Sequence, residues 1–381
     1  MLEALYERVP GHIEGNALRT QFLQYHAAHP ELARACDAGA DDWRMHFHHL
    51  RALTEIGDFR DVLAHTARMT ETAGPELAFH AAAFSGHAKL ALAADHAGAV
   101  TRAAALERST RWLDTGRLSA RLRAAIRDRE PLSMIRLGDG EARFLALEDP
   151  WARTIVSKHE ARCMVSVIWR NWFGQAIETV DDAELTTLSA LFTDTLASAD
   201  ILGVSPAQRL ERDVFHRGYL AILEHAVDKV AAERPGLLMT HAFANIFLHR
   251  RSPFYAELLS GLDFLGCISP HPGLAARLAE HHGIATCQEY IVPGEARLQA
   301  RGPVSMPHFP DRFKQIMADV RVPRPGAVFL VASGLLGKIY CHHIRGLGGI
   351  AIDVGSVVDA WMGYGTRPGL YTDLSAWILP R

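Results

Sequence analysis

The chain has 381 residues, 49% of them hydrophobic and 22% charged, with a formal net charge of −3. That balance describes a globular protein with enough length for one large α/β unit and a smaller one. It argues against a nucleic-acid-binding protein, which carries a clear basic surplus. Five cysteines (Cys36, Cys163, Cys267, Cys287 and Cys341), odd in number and without a CxxC pair, spell neither a disulfide framework nor a zinc cluster.

The opening Met-Leu-Glu-Ala-Leu-Tyr-Glu-Arg has no basic stretch followed by an apolar core. No apolar run approaches the roughly 20 residues that span a bilayer, so a cytoplasmic protein without a transmembrane segment is expected. Residues 1–115 are Ala-rich and carry a helical period. Trp43, Phe47, Leu50, Leu53 and Ile56 share one face, Gly57-Asp58 breaks the segment, and Phe59, Val62, Leu63 and Met69 begin a second helix. Helix, Gly-Asp turn, helix is the shape of a tetratricopeptide-like pair, and His96-Ala97-Gly98-Ala99-Val100 repeats the phrase loosely. An α-helical hairpin domain is expected here, a surface suited to a protein partner or to self-association.

From residue 116 to 381 the pattern changes to α/β. Leu132–Leu137, Asp200–Val204, Leu237–Thr240, Phe264–Ile268, Ala285–Val292, Val328–Ala332 and Ile350–Val354 read as strands. Helices are expected between them at 183–198, 218–233, 272–282, 311–319 and 336–346. This alternation predicts βαβ units and a Rossmann-like, mostly parallel sheet, whose ligands collect at the carboxyl ends of the strands.

Four segments at such ends carry possible chemistry. In Ser133-Met-Ile-Arg136-Leu-Gly138-Asp139-Gly140-Glu141 a strand runs into a tight Gly-Asp-Gly turn, and two carboxylates leave one strand end. Paired hard oxygens suit Mg²⁺ or Mn²⁺, and the Arg136 fork suits a diphosphate. Equally, Asp139 is a helix cap and Glu141 a first-turn partner of the helix dipole. Ser333-Gly334-Leu-Leu-Gly337-Lys338 follows an apolar run as a glycine turn at a helix start, an arrangement that presents backbone N–H groups to a phosphate. Lys338 either adds a point charge there or is a solvated helix residue, and the latter is favoured. Asp353, before Gly355-Ser356, is a candidate hydroxyl ligand, metal-site organiser or base, or else caps the turn. His241 and Asn245, spaced i, i+4 after a strand, share one face if a helix starts at once; His241 is then an acid or base, or the two are a satisfied polar pair. Trp361 and Tyr364 are stacking candidates or packing residues. His342-His343 point apart on a helix and read as structural, and the Pro-rich stretches at 292–295 and 306–311 frame a lid-like loop.

Arg136-Leu-Gly-Asp-Gly-Glu141 resembles the R-F-G-D-G-E signature of bacterial glycosyltransferases of the GT-D fold, with Leu137 in place of Phe. The glycine turn at 333–338 and the phrase Gly349-Ile-Ala-Ile-Asp353-Val-Gly355 are similar to C-terminal motifs of the same family. The resemblance spans roughly residues 118–367 and implies a metal-dependent transferase. Asp139 and Glu141 would serve Mn²⁺ or Mg²⁺ and the diphosphate of a nucleotide-sugar, a UDP-sugar foremost. Arg136, Gly138, Gly334, Gly337, Lys338 and Asn245 would line the donor site, and the acceptor would be a glycan, glycolipid or protein. A metal-dependent phosphohydrolase and a non-catalytic nucleotide-binding protein are the alternatives the residues themselves leave open.

Overall fold

The computed structural model of the chain describes residues 43–69, 75–250, 254–294, 306–366 and 378–379. Cys36, Glu295 and the opening residues lie outside these. Eight strands form one sheet: β1 (Trp112–Leu113), β2 (Leu132–Arg136), β3 (Ile201–Val204), β4 (Leu238–His241), β5 (Phe264–Ser269), β6 (Thr286–Ile291), β7 (Val328–Val331) and β8 (Ile350–Asp353). Their order is β1-β4-β3-β2-β8-β7-β5-β6, and every pairing is parallel. All seven expected strands form, and the two-residue β1 is an addition at the edge.

Strands β3, β5, β7 and β8 are buried along their whole length, as parallel strands covered on both faces must be. Alternate residues feed two cores. Ile135, Leu202, Phe329 and Val331 pack against the helices Lys158–Phe173, Arg217–Glu233 and Gly334–Gly346. On the other face Met134, Ile201, Leu330 and Ile352 pack with residues of Thr115–Asp128, Phe254–Leu259 and Leu274–His282. Edge strand β6 is half exposed.

The helices Trp43–Ile56 and Phe59–Met69 turn at Gly57, in the left-handed region at φ 80°, and enclose a small core of Leu50, Leu53, Phe59 and Val62. Residues 43–69 thus form a helical hairpin, and the part of the expected domain before residue 43 lies outside the described residues. The next helix, Pro75–Ala93, is shared: Ala81 and Ala88 face that small core, while Ala82, Ala83 and Leu90 belong to the core under the sheet. Its Ser85 and Lys89 both reach Glu160 at 2.7 Å, and Glu160 also closes the capping box of the helix Lys158–Phe173 with Ser157. The first strand begins at Trp112, and packing is continuous between the helices before it and the sheet.

Topology decides where a ligand can sit. From β2 the chain moves to its neighbour β3 and on to β4, whereas β8 is entered from β7 on the other side. The carboxyl ends of the adjacent β2 and β8 are therefore a switch point, the place where loops diverge and leave a crevice.

Candidate active site

At the end of β2 the chain extends through Gly138 and enters the helix Asp139–Leu145. Glu141 is its third residue, and one carboxylate oxygen accepts the Gly138 N–H at 2.9 Å. The other oxygen lies 2.9 Å from the Lys338 ammonium. Asp139, at the first position with its side chain 30% exposed, instead faces Arg209 and His216, each at 3.6 Å. Residues two apart on a helix diverge by about 200°. The carboxylates accordingly reach to opposite sides of β2, Asp139 toward the elements after β3 and Glu141 toward the helix after β7.

This divergence bears on the expected divalent ion. Glu141 has one oxygen on a backbone N–H and the other on an ammonium, a poor fit for a metal ligand. Asp139 fits better, because Mg²⁺ and Mn²⁺ sites often use a single protein carboxylate with substrate phosphates and water. Among the described residues no three His, Cys, Asp or Glu side chains gather as an all-protein metal site.

Lys338 overturns the expectation of a solvated residue: it is only 5% exposed. Its ammonium lies between Glu141 and Asp353 (2.9 and 3.1 Å) and donates to the Gly334 carbonyl at 3.0 Å. Burial pulls its pKa down, but Asp353 and Glu141 together outweigh burial and hold it above the ordinary value. For Asp353 burial pushes upward, and Arg136 and Lys338 outweigh it, leaving the carboxyl below the usual range.

Arg136 completes the network. Its guanidinium donates to the Asp353 carbonyl (3.0 Å), the Asp353 carboxylate (2.9 Å) and the Ala242 carbonyl (3.0 Å). It therefore ties together the ends of β2, β8 and β4. Gly355 permits this seat, since at φ 50° a Cβ there would stand 2.2 Å from Arg136 Nη2.

His241 and Asn245 do not share a helical face, because the helix starts at Ala244. His241 ends β4, accepts the Phe243 N–H on Nδ1 at 2.9 Å and packs against Phe247. Burial, then Arg209, lowers its pKa to about 4, so it is neutral near pH 7. Asn245 is 1% exposed and donates to the Val354 carbonyl at 2.8 Å, while its Oδ1 has no hydrogen-bond partner. Ser333, just before Gly334, is similar: its hydroxyl is buried and unpartnered. Gly334 opens its helix at φ 52°, and Gly337 lets the helix pack on Val331 and Ser333. Trp361 is buried and donates to His249, and Tyr364 stacks on His271. His342 meets Ser198 at 2.7 Å.

A cavity of about 780 Å³ opens over these strand ends. It is lined by Arg136, Gly138, Asp139, Glu141, Asn245, Ser333, Gly334 and Lys338, whereas His241, Asp353 and Gly337 are not on its surface. Further residues join that the sequence did not single out. Trp172 lies where a Cβ on Gly140 would strike its ring at 2.3 Å and where a Cβ on Gly334 would touch it at 3.7 Å, so it stands between the two glycine turns. Arg51, Arg143 and Arg209 supply a basic wall, and buried His308, held neutral by burial with a pKa near 3, meets the Tyr340 hydroxyl at 3.2 Å.

The family model of the GT-D fold-like domain matches residues 113–361, about two thirds of the chain. The chain belongs to the GT-D-like family. The match runs from Leu113, the second residue of β1, to Trp361 and so contains β2 to β8 of this glycosyltransferase-type fold, with the helices of residues 43–107 outside it. No curated protein and no solved structure matches the chain. Arg51 comes from outside the GT-D-like domain, yet it lines the domain's cavity. No described helix is long and apolar enough to cross a membrane.

Proposed function

We propose that this GT-D-like protein is a glycosyltransferase that moves a sugar from a nucleotide-sugar, a UDP-sugar foremost, to a hydroxyl acceptor. The observation that carries this reading is the cavity at the β2/β8 switch point, where a carboxylate-bearing turn and a glycine turn at a helix start face one space. Its volume falls within the range of small-molecule and cofactor sites. The unpartnered Ser333 Oγ and Asn245 Oδ1 support it, since buried polar atoms ordinarily have partners and a bound donor would supply them.

In this reading the first N–H groups of the helix Gly334–Gly346 receive the donor diphosphate. Trp172 offers a flat face to a base or sugar ring. Asp139 would hold Mn²⁺ or Mg²⁺, which when bound supplies positive charge to the leaving diphosphate. Lys338, Asp353 and Arg136 are positioning residues: they fix Glu141 and the strand ends so that the N–H dipoles are preorganised where negative charge develops.

The test is thermal stability against UDP-, GDP-, CMP- and dTDP-sugars with and without Mn²⁺. A donor at about 100 times its dissociation constant stabilises by about 2.7 kcal/mol, seen as a raised Tm for one nucleotide class. Indifference to all four would overturn the donor site.

A further inference from the structure

The cavity is lined by five cationic side chains, and these fall into two groups. At the strand ends, Arg136 and Lys338 are matched by Asp353 and Glu141, a closed network with no net charge. The second group, Arg51, Arg143 and Arg209, comes from three different helices. Arg51 has Glu55 at 3.9 Å, and Arg209 has Asp213 at 3.3 Å and Asp139 at 3.6 Å. Arg143 makes no ion pair among the described residues. Its guanidinium lies over the Tyr219 ring at 4.2 Å, and its buried Nε has no hydrogen-bond partner.

A charged group held against an aromatic face, partly buried, with a donor unmet, is a costly arrangement for a side chain that only fills space. Arg143 is also fixed in place: Tyr219 is 6% exposed and packs on buried His87 at 4.3 Å, whose ring in turn accepts the Gly218 N–H. The guanidinium is thus preorganised at the cavity wall, one turn of helix beyond Asp139. Arg51 brings the helical hairpin to the same wall.

We propose that Arg143, flanked by Arg51 and Arg209, forms an anion subsite distinct from the diphosphate cradle, and that the acceptor carries a phosphate or carboxylate near the hydroxyl it offers. This deepens the transferase reading and rests on it for the word acceptor; the anion subsite itself does not depend on it. A planar guanidinium takes either anion through paired N–H bonds, and a neutral glycan would leave the charge uncompensated. The hairpin in this account is part of the acceptor wall.

The experiment is calorimetric titration of glucose 6-phosphate and of glucose into the full chain saturated with UDP, for the wild type, Arg143→Met and Arg143→Lys. In the wild type the phosphate should improve affinity about tenfold or more, the scale of a charge-assisted hydrogen bond. Arg143→Met should abolish the difference, Arg143→Lys should keep only part of it because the ammonium retains the charge but not the paired N–H fork, and UDP affinity should be the same in all three. Two results would overturn the subsite: a phosphate preference absent from the wild type or undiminished in Arg143→Met, or UDP affinity lost with Arg143, which would place it on the donor diphosphate. If UDP binds none of the three, the donor reading fails separately. The titration is then read on the unliganded chain, where loss of the preference in Arg143→Met supports the subsite and its persistence rejects it.

Discussion

Replacing Lys338 by methionine is expected to destabilise the fold by about 3–5 kcal/mol, the usual cost of removing one partner from a buried ion pair. Methionine keeps the side chain up to the Cε position and removes the ammonium, so the loss reports mainly charge rather than a large cavity. Glu141 and Asp353 are 5% and 3% exposed and would lose their shared cation. The pH dependence gives the sharper signature. In the wild type the Asp353 pKa is depressed, so its stabilisation is present above the unfolded carboxylate pKa and lost as pH falls through the folded value. The Lys338 pKa is raised, so its stabilisation is present below the unfolded lysine pKa and lost as pH rises through the folded value. These two groups therefore leave wild-type stability level between about pH 8 and pH 5, and acidification weakens it only below the ordinary carboxylate range. In Lys338→Met the carboxylates lack their cation, protonation relieves them, and acidification from about pH 8 to about pH 5 should narrow the stability gap. Urea unfolding of both proteins at the two pH values checks this, and parallel pH curves with no loss of stability would contradict it.

The second large effect is on turnover. Asp139→Asn should lower it by about a hundredfold or more, the scale of losing one charge-stabilising group at a reacting diphosphate. The fold should barely change, because Asp139 is partly exposed, its cationic neighbours stand at 3.6 Å, and its helix-dipole contribution is about 0.3–1 kcal/mol. Steady-state kinetics beside a melting curve separates the two. Wild-type turnover in the variant would remove Asp139 from the mechanism.

The contrast between these residues shows what the sequence reveals. The strands at 132, 201, 264, 328 and 350 were legible because parallel strands buried on both faces are apolar runs stopped by Gly, Ser or Asp. β1 was not, since two residues at an edge show no period. The divergence of Asp139 and Glu141 follows from a feature already present in the chain: once a helix begins at Asp139, residues two apart leave it about 200° apart.

Lys338 had a signal too. It stands in Leu335-Leu336-Gly337-Lys338-Ile339-Tyr340-Cys341, all buried, and a solvated lysine would have polar neighbours. Its partners, by contrast, come from the helix after β2 and from β8, so the network exists only in three dimensions. The same holds for Trp172, Arg143, Arg209 and Arg51. They arrive on four separate helices, and nothing in their local spacing announces a common cavity.

The most direct test of the transferase reading is release of nucleoside diphosphate from a UDP-sugar by the wild-type chain, followed with and without glucose 6-phosphate and glucose as acceptors, with product mass measured. The account predicts nucleotide release that depends on an acceptor and yields a product heavier by one sugar residue. Free sugar or phosphate released at the same rate without any acceptor would contradict it and make the cavity that of a hydrolase.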